Sequence, residues 1–207
     1  MQLYSTYLFD FDGTLVDSHD SLVKVFEDSY SVVGITVPEG YVLRLMRIPL
    51  FQGYDELQGP KDEASIKRFC DMINQTLDAP EVLKLTKLYD DTLPNLIRLK
   101  KRGATLGIVT SNNIKHVGEV LRFLNVPEDL FSVIIGNKET KKHKPNPDPI
   151  YKALERLNIS KGGVCYVGDA LDDKNTAVNA GVGAVLLDRH QEYINEPGDV
   201  IRSLNEL

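Results

Sequence analysis

The chain has 207 residues, enough for one large domain or one domain carrying a smaller insertion, which excludes a long modular array. Hydrophobic residues make up 42% and charged residues 26%, the mix of an ordinary globular protein, so disordered, collagenous and membrane classes drop out. Lysine plus arginine number 24 against 30 acidic residues; the net charge of −6 repels a polyanion, so nucleic acid is not an expected partner and a small anion needs a local site.

MQLYSTYLFD opens the chain without a basic segment leading into a long apolar stretch, and no later run approaches ~18 apolar residues. Neither a signal peptide nor a membrane span is expected, and a cytoplasmic location is. Tyr7-Leu8-Phe9 reads as a buried strand that stops abruptly at Asp10 and an acid-Gly-Thr turn. From 17 to 89 the pattern is helical: Leu22, Val25, Phe26 and Val33 share one face, and Ile66, Phe69, Cys70, Ile73 and Leu77 share another. Beyond it, apolar runs at 106–110, 131–136, 164–168 and 184–188 alternate with helical patterns at 93–102, 115–124, 149–157 and 173–180. Runs that are apolar throughout suit strands buried on both faces of a parallel sheet. The fold class is therefore α/β, a doubly wound parallel sheet of Rossmann-like form, with residues 1–16 and 90–207 as core and 17–89 as an inserted helical cap. Cys70 and Cys165 sit in apolar runs and read as buried thiols rather than a disulfide or zinc ligands. His19, His116, His143 and His190 lack metal-ligand spacing. The sequons at Asn74 and Asn158 are read as chance matches, since secretion is not expected.

In an open parallel sheet, ligands bind beyond the carboxyl ends of the strands. Asp10 and Asp12, the Thr110-Ser111-Asn112 segment and Asp169 each follow an apolar run directly, so parallel strands bring them to one edge. Gathered carboxylates stay ionised together only when a cation neutralises them. Asp10 and Asp169, without clustered His or Cys, point to magnesium rather than zinc. Asp-Phe-Asp-Gly-Thr also suits covalent chemistry: an aspartate is anionic at neutral pH and attacks phosphorus without an activating base. A second acid two positions on can protonate the leaving oxygen and then activate water. Gly13 allows the tight turn, which Thr14 helps to hold. Lys144 lies in a loop stiffened by Pro145 and Pro149, with Asp148 as the expected cap of the next helix, and offers a fixed cation beside the acids. Lys138, Lys141, Lys142 and His143 read as a solvated face, and Asp172 as the N-cap of the helix that follows Asp169. There is no GxxxxGK[ST], no GxGxxG after a strand and no HExxH, so Walker-type nucleotide binding and zinc proteolysis have no support.

DFDGTLVDS, IVTSN, KPNPDP and VGDALDD, in that order, resemble the haloacid dehalogenase superfamily of phosphohydrolases, and the match spans essentially the whole chain. The helical insert after the first motif looks like the cap of the phosphoglycolate phosphatase-like branch. The resemblance implies that Asp10 is the nucleophile forming an aspartyl-phosphate, and that Asp12 is the general acid/base whose backbone carbonyl also binds Mg2+. It implies that Thr110, with Ser111 and Asn112, binds the phosphoryl group and that Lys144 steadies nucleophile and phosphate. Asp169 is implied as a metal ligand, and Asp173, at the GDxxxD spacing, as the group that orients the metal's water shell.

Branch choice turns on Asp12, because haloacid dehalogenases proper lack an acid there and phosphonoacetaldehyde hydrolases carry a small residue. The resemblance therefore implies a phosphatase acting on a small phosphorylated metabolite as a monomer or homodimer. A phosphomutase resembling beta-phosphoglucomutase keeps both acids, but its first motif usually reads DGV followed by DT rather than DGTLVDS. A rival of another class is a non-catalytic aspartyl-phosphate switch or binding protein. Such switches keep their acidic pair on the first strand and their phosphoacceptor on a later one, and require no helical lid. One departure stands out: branch members often carry a GxPL-like cap loop, whereas Arg47 occupies the glycine position in MRIPLF, with Arg44 close by. If that loop faces the site, Arg47 is placed for a bidentate contact with a substrate carboxylate or second phosphate.

Overall fold

The computed structural model describes residues 3–48 and 50–207, apart from the side chains of Arg47 and Glu128. The chain divides into two compact units, one formed by Met1–Asp17 with Leu88–Leu207 and the other by Ser18–Lys87. In chain order the elements are β1 (Thr6–Phe9), β2 (Val16–Asp17), α1 (His19–Ser31), α2 (Val42–Arg47), α3 (Leu50–Glu56), α4 (Glu63–Leu77), α5 (Pro80–Leu83) and β3 (Lys87–Leu88). There follow α6 (Thr92–Lys101), β4 (Thr105–Val109), α7 (Ile114–Phe123), β5 (Val133–Ile135), α8 (Asp148–Leu157), β6 (Val164–Gly168), α9 (Leu171–Ala180), β7 (Gly183–Leu187) and β8 (Asp199–Ile201).

The larger unit is built on a six-stranded sheet ordered β5-β4-β1-β6-β7-β8, with every pairing parallel. Helices between parallel strands supply the crossovers and cover the faces, which is the doubly wound α/β architecture. All four residues of β1 and all five of β6 are buried, as strands covered on both faces must be. One side of the sheet is filled by Leu8, Val109, Ile135, Ile150, Ala153, Tyr166 and Ala177. Register fixes the site edge: Phe9 lies opposite Ile108 on β4 and Val167 on β6. The residues that leave these three strands therefore emerge side by side.

The apolar periodicity locates the helices within two residues, but two caps are corrected. The N-cap of α8 is Pro147 and Asp148 is its first helical residue; the N-cap of α9 is Ala170, and Asp172 lies exposed in the first turn. In α9 the cap N–H is taken by Asp173, three residues into the helix, so the turn begins earlier than the apolar pattern indicates. The smaller unit packs α1 to α4 around Tyr30, Leu45, Tyr54 and Phe69, with ring centroids 4.9 Å apart for Tyr30–Phe69 and 4.6 Å for Tyr54–Phe69. Phe26, Val33, Ile66, Cys70 and Ile73 line that cluster.

Candidate active site

At the carboxyl edge of β1 and β4 the chain continues each ladder by one residue before turning away, and Asp169 follows β6 directly. The Asp10 amide donates to Val167 O at 2.9 Å and the Thr110 amide to Ile135 O at 2.9 Å. These bonds anchor the first residue of each loop to the sheet, so the side chains stand on rigid supports. The Gly13 turn has φ +77°, and a Cβ there would lie 2.7 Å from Asp169 Cγ. Glycine is thus required twice, for the left-handed backbone and for the close approach of the Asp169 carboxylate. Thr14, fully buried, donates its hydroxyl to Asp169 Oδ1 at 3.1 Å.

Lys144 arrives from the loop before α8 and bridges two acids, donating to Asp10 Oδ1 at 2.9 Å and to Asp173 Oδ1 at 2.6 Å. All three side chains are nearly withdrawn from solvent, at 11% exposure for Lys144, 10% for Asp10 and 1% for Asp173. Asp173 is held on every side. Its Oδ1 also accepts the Tyr166 hydroxyl at 3.1 Å, and its Oδ2 accepts the Ala170 amide at 3.1 Å. Its expected part in ordering water around a metal therefore has a visible companion, which is to fix Lys144. Asp12 turns its Oδ2 to the Asn112 side-chain amide at 3.0 Å, so Asn112 grips the second acid in this structure. Thr110 is buried and its Oγ accepts the Asn112 amide at 3.1 Å, while Ser111 is exposed beside it. The structure thus brings Asp10, Asp12, Thr110, Ser111, Asn112, Lys144, Asp169 and Asp173 to one edge of the sheet. The Arg47 side chain lies outside the described residues. Its neighbour Arg44 makes a two-pronged pair with Glu56, at 2.7 and 2.6 Å.

Electrostatics follow from burial. Burial pushes the Asp10 carboxyl well above the usual carboxylate range, Asp173 and Asp169 add to the rise, and Lys144 opposes it. Asp169 is pushed up to about 6 by burial and then by Asp173, against Lys144 and the Thr14 hydroxyl. For Lys144 burial favours the neutral amine, but Asp10 and Asp173 override it and hold the ammonium firmly protonated.

Carboxylate oxygens of Asp10, Asp169 and Asp173 all lie within 4.8 Å of one another. Three carboxylates against one ammonium leave a formal charge of −2 in a largely dry site, which is the charge a divalent cation neutralises. The donors are all oxygen, as a hard cation requires. Asp10 and Asp169 fit such an ion, and the Asp12 carbonyl is available from the same turn. Two contributors escape sequence reading. Tyr166 looks like any apolar residue of a buried strand, and the pair of Arg189 with Asp91, at 2.9 Å, joins positions with no local signal.

The chain, built on a doubly wound sheet, belongs to the haloacid dehalogenase-like hydrolases, whose family model matches residues 7–187. Its relatives place it in the phosphatase branch of that family. A protein carried under the pyrophosphatase name PpaX, from Caldanaerobacter subterraneus subsp. tengcongensis, is 32% identical over 87% of this chain and 80% of its own. A phosphoglycolate phosphatase of Escherichia coli O157:H7 is 26% identical over 96% of this chain and 89% of its own. A crystal structure described as a haloacid dehalogenase-like hydrolase, from Bacteroides fragilis, superposes with a TM-score of 0.87 at 32% identity, covering 98% of this chain and 99% of that one. Among the described residues no helix is long and apolar enough to cross a membrane.

Proposed function

We propose that this chain is a magnesium-dependent phosphatase that hydrolyses a small phosphate monoester through an aspartyl-phosphate on Asp10, in the manner of phosphoglycolate phosphatases. The observation that carries the reading is the convergence of two separately held acids, Asp10 on Lys144 and Asp12 on Asn112, beside the Thr110 hydroxyl. Asp10 Oδ attacks phosphorus in line, and the bond to the substrate oxygen breaks as Asp12 delivers a proton to the departing alkoxide. Asp12, now ionised, removes a proton from water, whose oxygen attacks phosphorus and returns Asp10 as a carboxylate with release of inorganic phosphate. Thr110, the Ser111 and Asn112 amides and Lys144 bind the equatorial oxygens of the transferring group. Asp10, the Asp12 carbonyl and Asp169 would hold Mg2+, which when bound supplies positive charge to the carboxylates and to a phosphoryl oxygen. The unit Ser18–Lys87 is assigned the choice of substrate in this reading. The free thiols of Cys70 and Cys165 suit the reducing cytoplasm.

The test is release of inorganic phosphate from a panel of phosphorylated metabolites and an aryl phosphate, with Mg2+ or with chelator. Wild type is expected to turn over only with the metal, and Asp10→Asn to lose at least about 10³-fold in rate. Near-normal turnover by Asp10→Asn overturns the mechanism. Isomerised sugar phosphate with no net phosphate release replaces the phosphatase by a phosphomutase.

A further inference from the structure

The first-motif turn is gripped from behind as well as from the site. Arg189, which follows β7, donates from Nη2 to the Thr14 carbonyl at 3.0 Å. Its two terminal nitrogens also meet Asp91, Nη1 on Oδ2 at 3.0 Å and Nη2 on Oδ1 at 2.9 Å, while its guanidinium lies 3.9 Å above the Tyr89 ring. Asp91 in turn accepts the Ser203 hydroxyl at 2.6 Å and the Leu204 amide at 2.8 Å. The fork is thus turned wholly toward Asp91 and Thr14, and its Nε has no partner among the described residues. The Thr14 carbonyl that Arg189 holds belongs to the residue whose hydroxyl orients Asp169. One peptide therefore connects a largely buried ion pair to a carboxylate of the metal cluster.

We propose that Arg189, locked by Asp91, is a positioning residue that sets Asp169 for the cation by fixing Thr14. The inference rests on the reading that Asp169 holds the metal. A planar fork suits this task because one guanidinium satisfies a carboxylate and a carbonyl at once, in fixed directions. Hydrogen-bond partners of metal ligands commonly account for about 10- to 100-fold in metal affinity when removed.

The experiment measures Mg2+ binding by calorimetry without substrate, melting temperature in chelator, and kcat and KM, for wild type, Arg189→Met, Thr14→Val and the double variant. Both single variants are expected to weaken Mg2+ binding by about tenfold, with KM at saturating metal within about twofold of wild type. Because both act along one path, the double variant should bind Mg2+ no more weakly than the poorer single variant. Arg189→Lys keeps the charge opposite Asp91 but loses the fork, and is expected to weaken Mg2+ binding by about three- to tenfold; it carries the test if Arg189→Met does not fold. A lower melting temperature with unchanged Mg2+ affinity would make the pair a mere structural tie and overturn the inference. Weakening that multiplies in the double variant overturns it too, since Arg189 would then act by another route. Wild type that binds no Mg2+ overturns the functional reading and this inference with it, whereas wild type that binds beside unaltered variants overturns the inference alone.

Discussion

Replacing Lys144 by methionine keeps the length and most of the volume of the side chain and removes one positive charge from the site. The structure allows the consequence to be sized. Lys144 is the cation shared by Asp10 and Asp173, all three at or below 11% exposure, so its loss leaves the Asp10, Asp169 and Asp173 cluster without its ammonium. Breaking a buried ion pair from one side costs about 3–5 kcal/mol, because the remaining charge stays desolvated. For a chain of this size each 1 kcal/mol moves the melting point by about 2–4 °C, so a fall of roughly 6–20 °C is expected at neutral pH in chelator. The sign of the pH dependence follows from linkage. Asp10 and Asp169 already stand above the ordinary carboxylate range when folded, through burial first, and losing Lys144 raises them further. A group whose folded pKa is raised contributes stability below its unfolded pKa and loses it as pH rises through the folded value. The deficit of Lys144→Met is therefore expected to be small near about pH 4, where the carboxylates hold protons, and to grow toward about pH 8. Added Mg2+ should recover part of it at the higher pH. Thermal unfolding followed by circular dichroism at both pH values, with chelator or with Mg2+, measures this. A deficit that is the same at both would show that the variant loses packing rather than charge compensation.

Gly168→Ala places a methyl group well inside contact distance of the Asp173 carboxylate, which cannot retreat from Lys144, Tyr166 and the Ala170 amide. We expect a stability loss of about 1–3 kcal/mol and, through a displaced Lys144, a fall in kcat approaching about 10²-fold, read by steady-state kinetics against an unfolding curve. Tyr30→Phe removes a fully buried hydroxyl that has no partner among the described residues and whose pKa burial pushes up to about 12. It should raise stability by about 1 kcal/mol in urea titration, and a loss would reveal an interaction of that hydroxyl. Asp91 and Asp188 are also partly desolvated, which pushes them up. Arg189, Ser203 and the Leu204 amide for Asp91, and the Tyr193 and Glu192 amides with Arg202 for Asp188, more than offset this and hold both carboxyls below the ordinary range. Their stabilisation is complete above the unfolded carboxylate pKa of about 4 and is lost as pH falls through the lower folded values. Asp91→Asn should therefore flatten the acid limb of a stability–pH curve, and an unchanged limb would refute the assignment.

The legible part of this fold is the part written in runs of apolar residues. Five of the six sheet strands announce themselves that way, and since β1, β4 and β6 run straight into polar residues, parallel pairing alone predicts the edge where Asp10, Thr110 and Asp169 meet. β8 does not: Asp199–Ile201 is three residues long, starts on an exposed acid and lies at the sheet edge, so it has neither length nor alternation to betray it. α9 begins before its apolar pattern because Asp173, three residues into the helix, takes the Ala170 amide, whereas the Pro147 cap of α8 has no side-chain bond. Within the site, residue identity showed which groups could do chemistry, whereas the grips on them stayed hidden. Asn112 on Asp12 spans 100 positions, Thr14 on Asp169 spans 155, and Arg189 on Asp91 spans 98. Such pairs depend on strand order and register, and nothing local in the sequence encodes a partner that far away.

The span between Thr14 and Asp169 also has a temporal side. A ribosome adding about 5–20 residues per second emits the first motif roughly 8–30 s before the residue that Thr14 will bind. Until Thr105, more than half of that interval, β1 has neither β4 nor β6 beside it, and it lacks β6 for nearly all of it, although it is destined for the middle of the sheet. A nascent chain halted before β6 therefore carries DFDGT, Thr110, Asn112 and Lys144 but neither Asp169 nor Asp173. The return of metal-dependent turnover in a synthesis reaction should accordingly trail full-length release rather than accumulate with chain length.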